Sequence, residues 1–374
     1  MSRALKPRCE FQTSIEASGK PWLESSVDHN ARFFEMATSS KKSPLAGKHY
    51  LVTGGTGFIG AGLVKGLLAL GARVRAFDDN SRGSKEKLDR EASQAELIIG
   101  DIRDRDAVAN AMRGVDGVCH LAYINGTEFF YTKPETILEV AVKGMTNVID
   151  ACIQHGVPEL VLFSSSEVYH APAKVPTDET TPLTVPDVLN PRYSYSGGKI
   201  ISELLALNFG RKHFKRVLIL RPHNVYGPEM GWEHVIPQFT LRMRELPRNK
   251  KGAVPFQIQG TGQETRAFIY LDDAISGALR VMEKGRHLGI YHLGISDEIT
   301  IEKLAGEIAR YFELNINIVP GELRPGSPLR RCPDISKLRQ LGFEPSVSLR
   351  EGLAKTVRWY DENAKSRPST RNVQ

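Results

Sequence analysis

The sequence contains few cysteines, and their positions exclude two classes of site. Only four occur in 374 residues, Cys9, Cys119, Cys152 and Cys332, and no two form a Cys-x-x-Cys pair. A disulfide framework or a thiolate metal site would need cysteines at paired or clustered spacing. The ten histidines also form no cluster with the spacing of metal ligands. We therefore predict no metal site.

Long apolar runs are missing as well. No stretch approaches the ~18 apolar residues that a membrane helix needs, and no apolar segment typical of a secretion signal lies near the N-terminus. We therefore expect a soluble, cytoplasmic protein with no membrane partner. With 41% hydrophobic residues, the chain is long enough to bury a large core, in one large domain and one smaller domain.

The net charge of +7 lies mostly at the two ends of the chain. Residues 1–48 carry eight Lys and Arg against five Asp and Glu, and residues 362–374 carry three against one. The remaining chain is close to neutral and has no basic stripe interleaved with aromatic residues, so we predict no nucleic-acid partner. The polar composition of residues 1–45 predicts a flexible extension, and residues 363–374 a flexible tail.

A glycine-rich turn follows the first apolar segment. Residues 49–53 are apolar and β-branched, Gly54, Gly57 and Gly60 follow, and residues 61–70 suit a helix. This order of strand, glycine turn and helix is typical of dinucleotide-binding folds, because the glycines let a pyrophosphate approach the backbone at the helix N-terminus. A purely structural turn is the alternative. A P-loop is unlikely, since no Lys-Ser or Lys-Thr pair follows the last glycine.

An acidic residue follows the second predicted strand. Residues 73–77 lead into Asp78, at about the ~20-residue distance at which such folds place the acid that hydrogen-bonds the adenosine ribose. We expect Asp78 to favour NAD over NADP, although Arg82 lies close enough in sequence to weaken this preference. Together the turn and the acid predict an NAD site.

Tyr195 and Lys199 lie one helical turn apart. A phenol has a pKa near ~10, so it is a poor base at neutral pH unless a nearby ammonium stabilises the phenolate. Lys199 could supply that charge across an i, i+4 spacing. An ordinary solvated helix face with the same spacing is the alternative.

These motifs, with several others, resemble the extended short-chain dehydrogenase/reductases, specifically the NAD-dependent epimerase/dehydratase family that acts on nucleotide sugars. The resemblance runs from about residue 48 to about residue 360. Its further motifs, in chain order, are Gly100-Asp101-Ile102-Arg103-Asp104, His120-Leu121-Ala122, Ser164-Ser165-Ser166-Glu167-Val168-Tyr169, Arg221-Pro222-His223-Asn224-Val225-Tyr226-Gly227-Pro228 and Arg331-Cys332-Pro333-Asp334-Ile335.

Strand-like and helix-like segments alternate along the chain, which predicts a parallel sheet covered by helices on both faces. The predicted strands are residues 49–53, 73–77, 96–99, 117–121, 160–164 and 217–221. The resemblance implies an α/β fold with a doubly wound parallel (Rossmann) sheet and a smaller C-terminal domain. We expect an NAD-binding domain over residues 46–227, rejoined by about 265–294, and a mainly substrate-binding domain over 228–362.

The resemblance also implies roles for individual residues. Tyr195 is the expected base on the sugar hydroxyl, helped by Lys199 and Ser165, with Ser164 and Ser166 left as alternatives to Ser165. The expected contacts to NAD come from Gly54, Gly57, Phe58, Ile59, Gly60, Asp78, Asp101, Ile102, Leu121, Ala122 and Lys199. The expected contacts to a nucleotide-diphosphate sugar come from Asn224, Arg266 and Arg331, with Arg330 as the alternative to Arg331.

Glu167 bears on which reaction the resemblance implies. Dehydratases and uronate decarboxylases of the family commonly have Glu at this place, whereas simple 4-epimerases usually do not. Our first hypothesis is an NAD-dependent epimerase that acts through a transient 4-keto sugar. The alternatives are a 4,6-dehydratase or UDP-glucuronate decarboxylase that uses Glu167 as a second base, and a non-catalytic NAD-binding regulator. We expect a homodimer.

The chain departs from the family pattern at three places. Ala141 stands where Asn is usual, and His292 replaces Asn in Tyr291-His292-Leu293-Gly294. The segment of residues 123–131, rich in aromatic side chains, fills a loop that normally approaches the sugar. It predicts either a particular substrate shape or a packed lid.

Overall fold

A computed structural model describes residues 43–88, 92–248, 252–323, 326 and 328–367. Most of the predicted N-terminal extension and C-terminal tail therefore lies outside the described residues. Residues 43–45 belong to the folded domain and not to the extension: Leu45 is fully buried in the core and the Ser43 hydroxyl donates to Glu283. Within the described residues, no helix has the length and apolar character needed to cross a membrane.

The strands, in chain order, are β1 (His49–Thr53), β2 (Arg73–Asp78), β3 (Glu96–Ile99), β4 (Gly117–His120), β5 (Glu159–Phe163), β6 (Arg216–Pro222), β7 (Val225–Tyr226), β8 (Val254–Gln257), β9 (Thr265–Ala267), β10 (Ile269–Tyr270), β11 (Gly289–Leu293), β12 (Glu298–Thr300), β13 (Ile316–Val319) and β14 (Arg330–Arg331). The α-helices are α1 (Phe58–Ala69), α2 (Arg105–Ala111), α3 (Thr127–Thr132), α4 (Pro134–His155), α5 (Ser194–His213), α6 (Val235–Arg244), α7 (Leu271–Lys284), α8 (Ile301–Tyr311), α9 (Ser336–Gln340) and α10 (Leu349–Glu362). Four 3₁₀ turns are described, Lys85–Leu88, Ser166–Tyr169, Pro191–Tyr193 and Ala364–Ser366.

The central sheet confirms the predicted fold class. Its seven strands are all parallel, in the order β11-β6-β5-β4-β1-β2-β3. The chain moves outward from β1 in one direction through β2 and β3, then in the other through β4. Ligands of such sheets bind at the carboxyl ends of the strands where this order reverses, so the expected site lies beyond Thr53 and His120.

Successive residues of each central strand serve opposite faces of the sheet, as the two-residue strand period requires. Leu51 packs in a cluster with Val148 of α4, whereas Val52 packs in a second cluster with Leu63 of α1 and Val281 of α7. The sheet is thus covered by helices on both sides, which explains why its central strands are almost continuously apolar.

A smaller unit follows β6 and has its own core. Strands β8 and β13 pair in parallel, and helices α6, α8 and α10 cover them around Phe239, Phe256, Ile308 and Leu353. Between these segments the chain returns to the first domain, because β11 pairs with β6 and α7 packs against α1.

A buried ion pair ties the end of β6 to α5. Arg221 donates to both carboxylate oxygens of Glu203, at 2.9 and 2.5 Å, and their side chains are 3% and 2% exposed. Arg221 also donates to the Tyr169 hydroxyl, which lies 2.7 Å from Nε2 of His292. This network fixes the Ser166–Tyr169 turn relative to α5, which carries Tyr195.

We predict that Glu203→Gln lowers the free energy of unfolding by ~3–5 kcal/mol, because it removes the negative charge that balances the buried Arg221 guanidinium. The exposed pair between Lys143 and Glu139 provides the control, and Lys143→Ala should cost less than ~1 kcal/mol. Chemical denaturation measures both. Similar losses in the two variants would contradict the role given to the buried pair.

Candidate active site

The glycine turn between β1 and α1 leaves no room for side chains. Gly54 has a φ of +71°, and a Cβ there would lie 2.7 Å from the backbone nitrogen of Ala122. A Cβ on Gly60 would lie 1.9 Å from the carbonyl oxygen of Gly54. Phe58 and Ile59 open α1, whose first N–H groups face this turn. The turn therefore fits the close approach of a pyrophosphate.

Asp78 is held at the end of β2 beside the glycine turn. Its carboxylate accepts hydrogen bonds from the backbone nitrogens of Thr56, at 3.0 Å, and Asn80, at 2.9 Å. Arg82 does not pair with it. Instead, Arg82 donates to Glu233 and lies over the ring of Phe129, 4.8 Å from its centroid. Arg82, which the sequence suggested could weaken the preference for NAD, thus has other partners.

The other predicted cofactor residues lie at the same edge of the sheet. The backbone nitrogens of Leu121 and Ala122, after β4, each lie 3.2 Å from the Thr53 hydroxyl. Ile102, after β3, is buried. Asp101 is paired with Arg103 at 2.6 Å, and this guanidinium lowers the pKa of the carboxyl.

Lys199 is almost fully buried on α5, and its Nζ donates to the carbonyl oxygen of Phe163 at 2.7 Å. The ammonium lies over the ring of Tyr123, 3.8 Å from its centroid, and 6.0 Å from that of Tyr195. Burial lowers the pKa of Lys199 to about 7, because an ammonium is poorly solvated there.

The structure corrects one expectation about Tyr195. Its pKa is raised to about 12 and not lowered, because burial penalises the phenolate. Hydrogen bonding from Ser165 and the charges of Arg82 and Arg331 oppose this shift but do not reverse it. Lys199 is not among the groups that change this pKa, and its ammonium lies 6.0 Å from the centroid of the Tyr195 ring.

The aromatic segment packs around Tyr195. Phe130 stacks on the Tyr195 ring with centroids 5.0 Å apart, and Tyr123 meets it edge-on at 5.1 Å. The Tyr123 hydroxyl also donates to the backbone oxygen of Tyr195. Of the two interpretations of this segment, this packing favours the packed lid, in which Tyr123 and Phe130 form an aromatic wall beside the Tyr195 ring.

Ser165 is the serine of its triplet that reaches Tyr195. It caps the Ser166–Tyr169 turn, where its hydroxyl accepts from the backbone nitrogen of Glu167 at 3.2 Å, and it hydrogen-bonds the Tyr195 side chain. Ser164 and Ser166 are buried at the strand end. The geometry therefore favours Ser165 over both alternatives.

Glu167 is bound by arginines. Its Oε1 lies 2.5 Å from Nη1 of Arg331, and its Oε2 lies 3.9 Å from Nη2 of Arg192. Burial alone would raise the pKa of Glu167, but Arg331, Arg192 and Arg266 together lower it to about 2. Glu167 is therefore an ionised carboxylate at neutral pH and a weak base.

Arg192 was missed by the sequence interpretation. It is almost fully buried in the Pro191–Tyr193 turn, three residues before Tyr195. A single arginine before a helix is a common pattern, and only its position so close to Tyr195 could have indicated a site.

The predicted substrate residues separate into two groups. Arg266 lies close enough to Arg331 for the two charges to interact, and burial followed by this repulsion lowers the pKa of Arg266 to about 10. Among the described residues, no group forms a hydrogen bond with the buried Nη2 of Arg331. Arg330 instead pairs with Glu298 at 2.6 Å, which favours Arg331 over Arg330 as the candidate substrate residue. Asn224 uses its amide nitrogen to bond the carbonyl oxygen of Ala267 at 3.0 Å.

The site as a whole combines the glycine turn, the buried Tyr195 and Lys199 with the half-buried Ser165, and a cluster of three arginines around one carboxylate. In the described part of the chain, no group of three His, Cys, Asp or Glu side chains is arranged to hold a metal ion. The arrangement suits a dinucleotide, a sugar hydroxyl at Tyr195 and an anionic group at the arginines.

Comparisons with known proteins agree with this chemistry. The model of the NAD dependent epimerase/dehydratase family matches residues 50–294. UDP-glucuronic acid decarboxylase 2 of Arabidopsis thaliana is 31% identical over 364 residues, covering 95% of this chain and 77% of that protein. A dTDP-glucose 4,6-dehydratase of Streptomyces antibioticus is 31% identical over 322 residues, covering 84% and 92%.

Solved structures are similar over most of the chain. A dTDP-glucose 4,6-dehydratase from Streptomyces venezuelae with NAD bound has 30% identity and a TM-score of 0.75, covering 85% of this chain and 98% of that one. A UDP-glucose 4-epimerase from Thermotoga maritima with UDP-glucose has 27% identity and a TM-score of 0.74, covering 84% and 99%.

We predict that the protein binds NAD at least ~10-fold more tightly than NADP, because the Asp78 carboxylate repels a 2′-phosphate. Asp78→Asn keeps the shape of the side chain but removes its negative charge, and it should reduce the ratio of the affinity for NAD to that for NADP. Asp79→Asn is the control, because the Asp79 carboxylate is bonded to Ser81 on the surface. Calorimetry measures both cofactors, and comparable affinities in the wild type would contradict the prediction.

Tyr195→Phe should lower turnover of the nucleotide sugar by ~100-fold or more while folding and NAD binding persist, because it removes the proton-transfer group. Lys199→Met should also weaken NAD binding. Tyr131→Phe, on the surface of α3, is the matched control and should retain activity. Steady-state kinetics measure turnover and calorimetry measures NAD binding. Near-normal turnover of Tyr195→Phe would refute the expected role of Tyr195 in proton transfer.

Proposed function

Since the chain belongs to the NAD dependent epimerase/dehydratase family, we propose that it is a nucleotide-sugar epimerase that acts through a transient 4-keto sugar. The Gly54–Gly60 turn, Asp78 and Lys199 would hold NAD, which when bound supplies a hydride acceptor. We assign the role of base at the sugar hydroxyl to Tyr195, with Ser165 bonding the same oxygen.

Tyr195 and Lys199 would share the task of handling the hydroxyl proton. Burial raises the pKa of Tyr195 to about 12 and lowers that of Lys199 to about 7, so the two pKa values lie further apart than those of the free side chains, and Lys199 gives up its proton more readily than Tyr195. Tyr195 can accept the proton of the sugar hydroxyl only when its phenolate is stabilised. The Ser165 hydroxyl and the positive charges of Arg82 and Arg331 favour that phenolate. The same groups return the proton after the sugar has turned.

The protonation state of Glu167 is the reason that we propose epimerisation and not elimination. Removing a carbon-bound proton beside a ketone needs a base whose pKa lies near the working pH. The ion pair with Arg331 lowers the pKa of Glu167 to about 2. Glu167 is thus poorly suited to the elimination step of a dehydratase, whereas epimerisation needs no second base.

A uronate decarboxylase is the second candidate, and the arginine cluster favours it. Three guanidinium groups surround the single carboxylate of Glu167, so the site has an excess of positive charge. A sugar carboxylate would be bound there, and loss of carbon dioxide from a 4-keto uronate requires no base to remove a carbon-bound proton. The similarity to plant UDP-glucuronic acid decarboxylases supports this candidate as well.

The protein is further proposed to act in the cytoplasm as a homodimer. Helices α4 and α5 pack side by side, and their outer faces expose the apolar side chains of Leu138, Ile153, Ile201 and Leu204. A second copy of the same helix pair would cover these side chains and remove them from water.

Product analysis tests the reaction. The purified protein is incubated with UDP-, GDP-, dTDP- and CDP-sugars, including uronates, and the products are separated by chromatography and identified by mass spectrometry and NMR. We expect a new sugar that has the mass of its substrate and differs from it in configuration. Loss of carbon dioxide from a uronate would replace epimerisation with the second candidate, and loss of water would contradict both.

Glu167→Gln adds a separate test, because it removes the charge of the carboxylate and preserves its shape. An epimerase should lose less than the ~10-fold that ~1.4 kcal/mol of barrier represents. Ser166→Ala, at a buried neighbour of Glu167, is the control for disturbance of the turn. Loss of most product formation in Glu167→Gln alone would show that the carboxylate acts in the chemistry, against the epimerase proposal.

A further inference from the structure

His170 has an unusual backbone conformation at the edge of the candidate site. Its φ is 53° and its ψ is −105°, a region that residues with a Cβ rarely occupy. It ends the Ser166–Tyr169 turn, and its backbone nitrogen donates to the carbonyl oxygen of Glu167 at 3.1 Å. Such strain persists only where the surrounding structure holds it, and it is commonest at functional sites.

The His170 side chain contacts the turn that leads into α5. Its ring meets the Tyr193 ring edge-on, with centroids 5.0 Å apart and planes at 84°, and its Nε2 lies 3.5 Å from the Tyr193 hydroxyl. Tyr193 ends the Pro191–Tyr193 turn, two residues before Tyr195. The contact therefore joins the segment that carries Glu167 to the segment that carries Tyr195.

A second contact joins the same two turns. Arg192 lies next to Tyr193 in sequence and approaches Glu167 at 3.9 Å. The two turns are thus held together by an ion pair on one side and by the His170–Tyr193 contact on the other. The Arg192 and Glu167 side chains can still move relative to each other at 3.9 Å. The edge-on contact restricts both the distance and the relative orientation of the His170 and Tyr193 rings.

We propose that His170 is a positioning residue that acts through Tyr193. It holds the Ser166–Tyr169 turn against the start of α5, so that Ser165 and Glu167 keep their places relative to Tyr195. This inference rests on the proposed function, since it concerns turnover at that same site. The strained backbone is the consequence of pointing the imidazole at Tyr193.

Two variants separate the strain from the side-chain contact. His170→Ala and His170→Gly both remove the ring, but only Ala retains a Cβ in the strained conformation. We expect both variants to lose at least ~10-fold in kcat with KM changed less than threefold, because misplaced groups slow the chemical step more than binding. His170→Gly should unfold at a higher temperature than His170→Ala.

Glu313 supplies the matched control. It is exposed after α8, outside the site, and has a similar φ of 55°. Glu313→Gly should likewise unfold at a higher temperature than Glu313→Ala, but both Glu313 variants should keep the wild-type kcat.

A double-mutant cycle tests whether His170 acts through Tyr193. Tyr193→Leu removes both the ring and the hydroxyl that His170 contacts. If the proposal holds, His170→Gly lowers kcat less in the Tyr193→Leu background than in the wild type. The proposal would be overturned if the two substitutions lowered kcat independently, so that their effects multiplied in the double variant. It would also be overturned if His170→Gly kept a kcat within twofold of the wild type, or if it were no more stable than His170→Ala.

The proposed function can fail separately from this inference. It fails if the wild-type protein produces no epimer from any nucleotide sugar in the panel. The inference about His170 fails if the wild type converts a sugar, by whichever reaction, and the His170 variants convert it equally well.

Discussion

The ion pair between Glu167 and Arg331 is the interaction that sets the charge state of the carboxylate in the candidate site. It joins the turn after β5, which also carries Ser165, to β14 near the end of the chain. Because Arg331 lowers the pKa of Glu167, the carboxylate keeps its charge and loses most of its strength as a base. The same pair brings Arg331 and Arg266 to the place where an anionic substrate group would lie.

Burial has opposite effects on the two groups that would handle the proton. It raises the pKa of Tyr195 and lowers that of Lys199, since each charged form loses its hydration. Tyr123 and Phe130 form part of the apolar surroundings of the Tyr195 ring. Because burial penalises its phenolate, Tyr195 depends on Ser165 and nearby arginines for the stabilisation of that charge.

The features that sequence could predict are those set by local pattern. Six of the seven strands of the central sheet lie within one residue of their predicted ends, since their apolar runs and glycine turns are local signals, whereas β11 was not predicted as a strand. The shift in the pKa of Tyr195 was predicted in the wrong direction, because burial arises from the distant segment of Phe130. Arg192 and the strain at His170 could not be predicted either, since both depend on two turns that meet only in the folded chain.

The central claim is that Glu167 does not remove a carbon-bound proton. The most direct measurement is to run the reaction in deuterium oxide and locate deuterium in the product by mass spectrometry and NMR. The account predicts an epimer that contains no solvent deuterium at any carbon, since the hydrogen at carbon 4 leaves and returns without exchange. Deuterium at carbon 5 of a product that has lost water would contradict the account, because it would require the base that the Glu167–Arg331 pair disfavours.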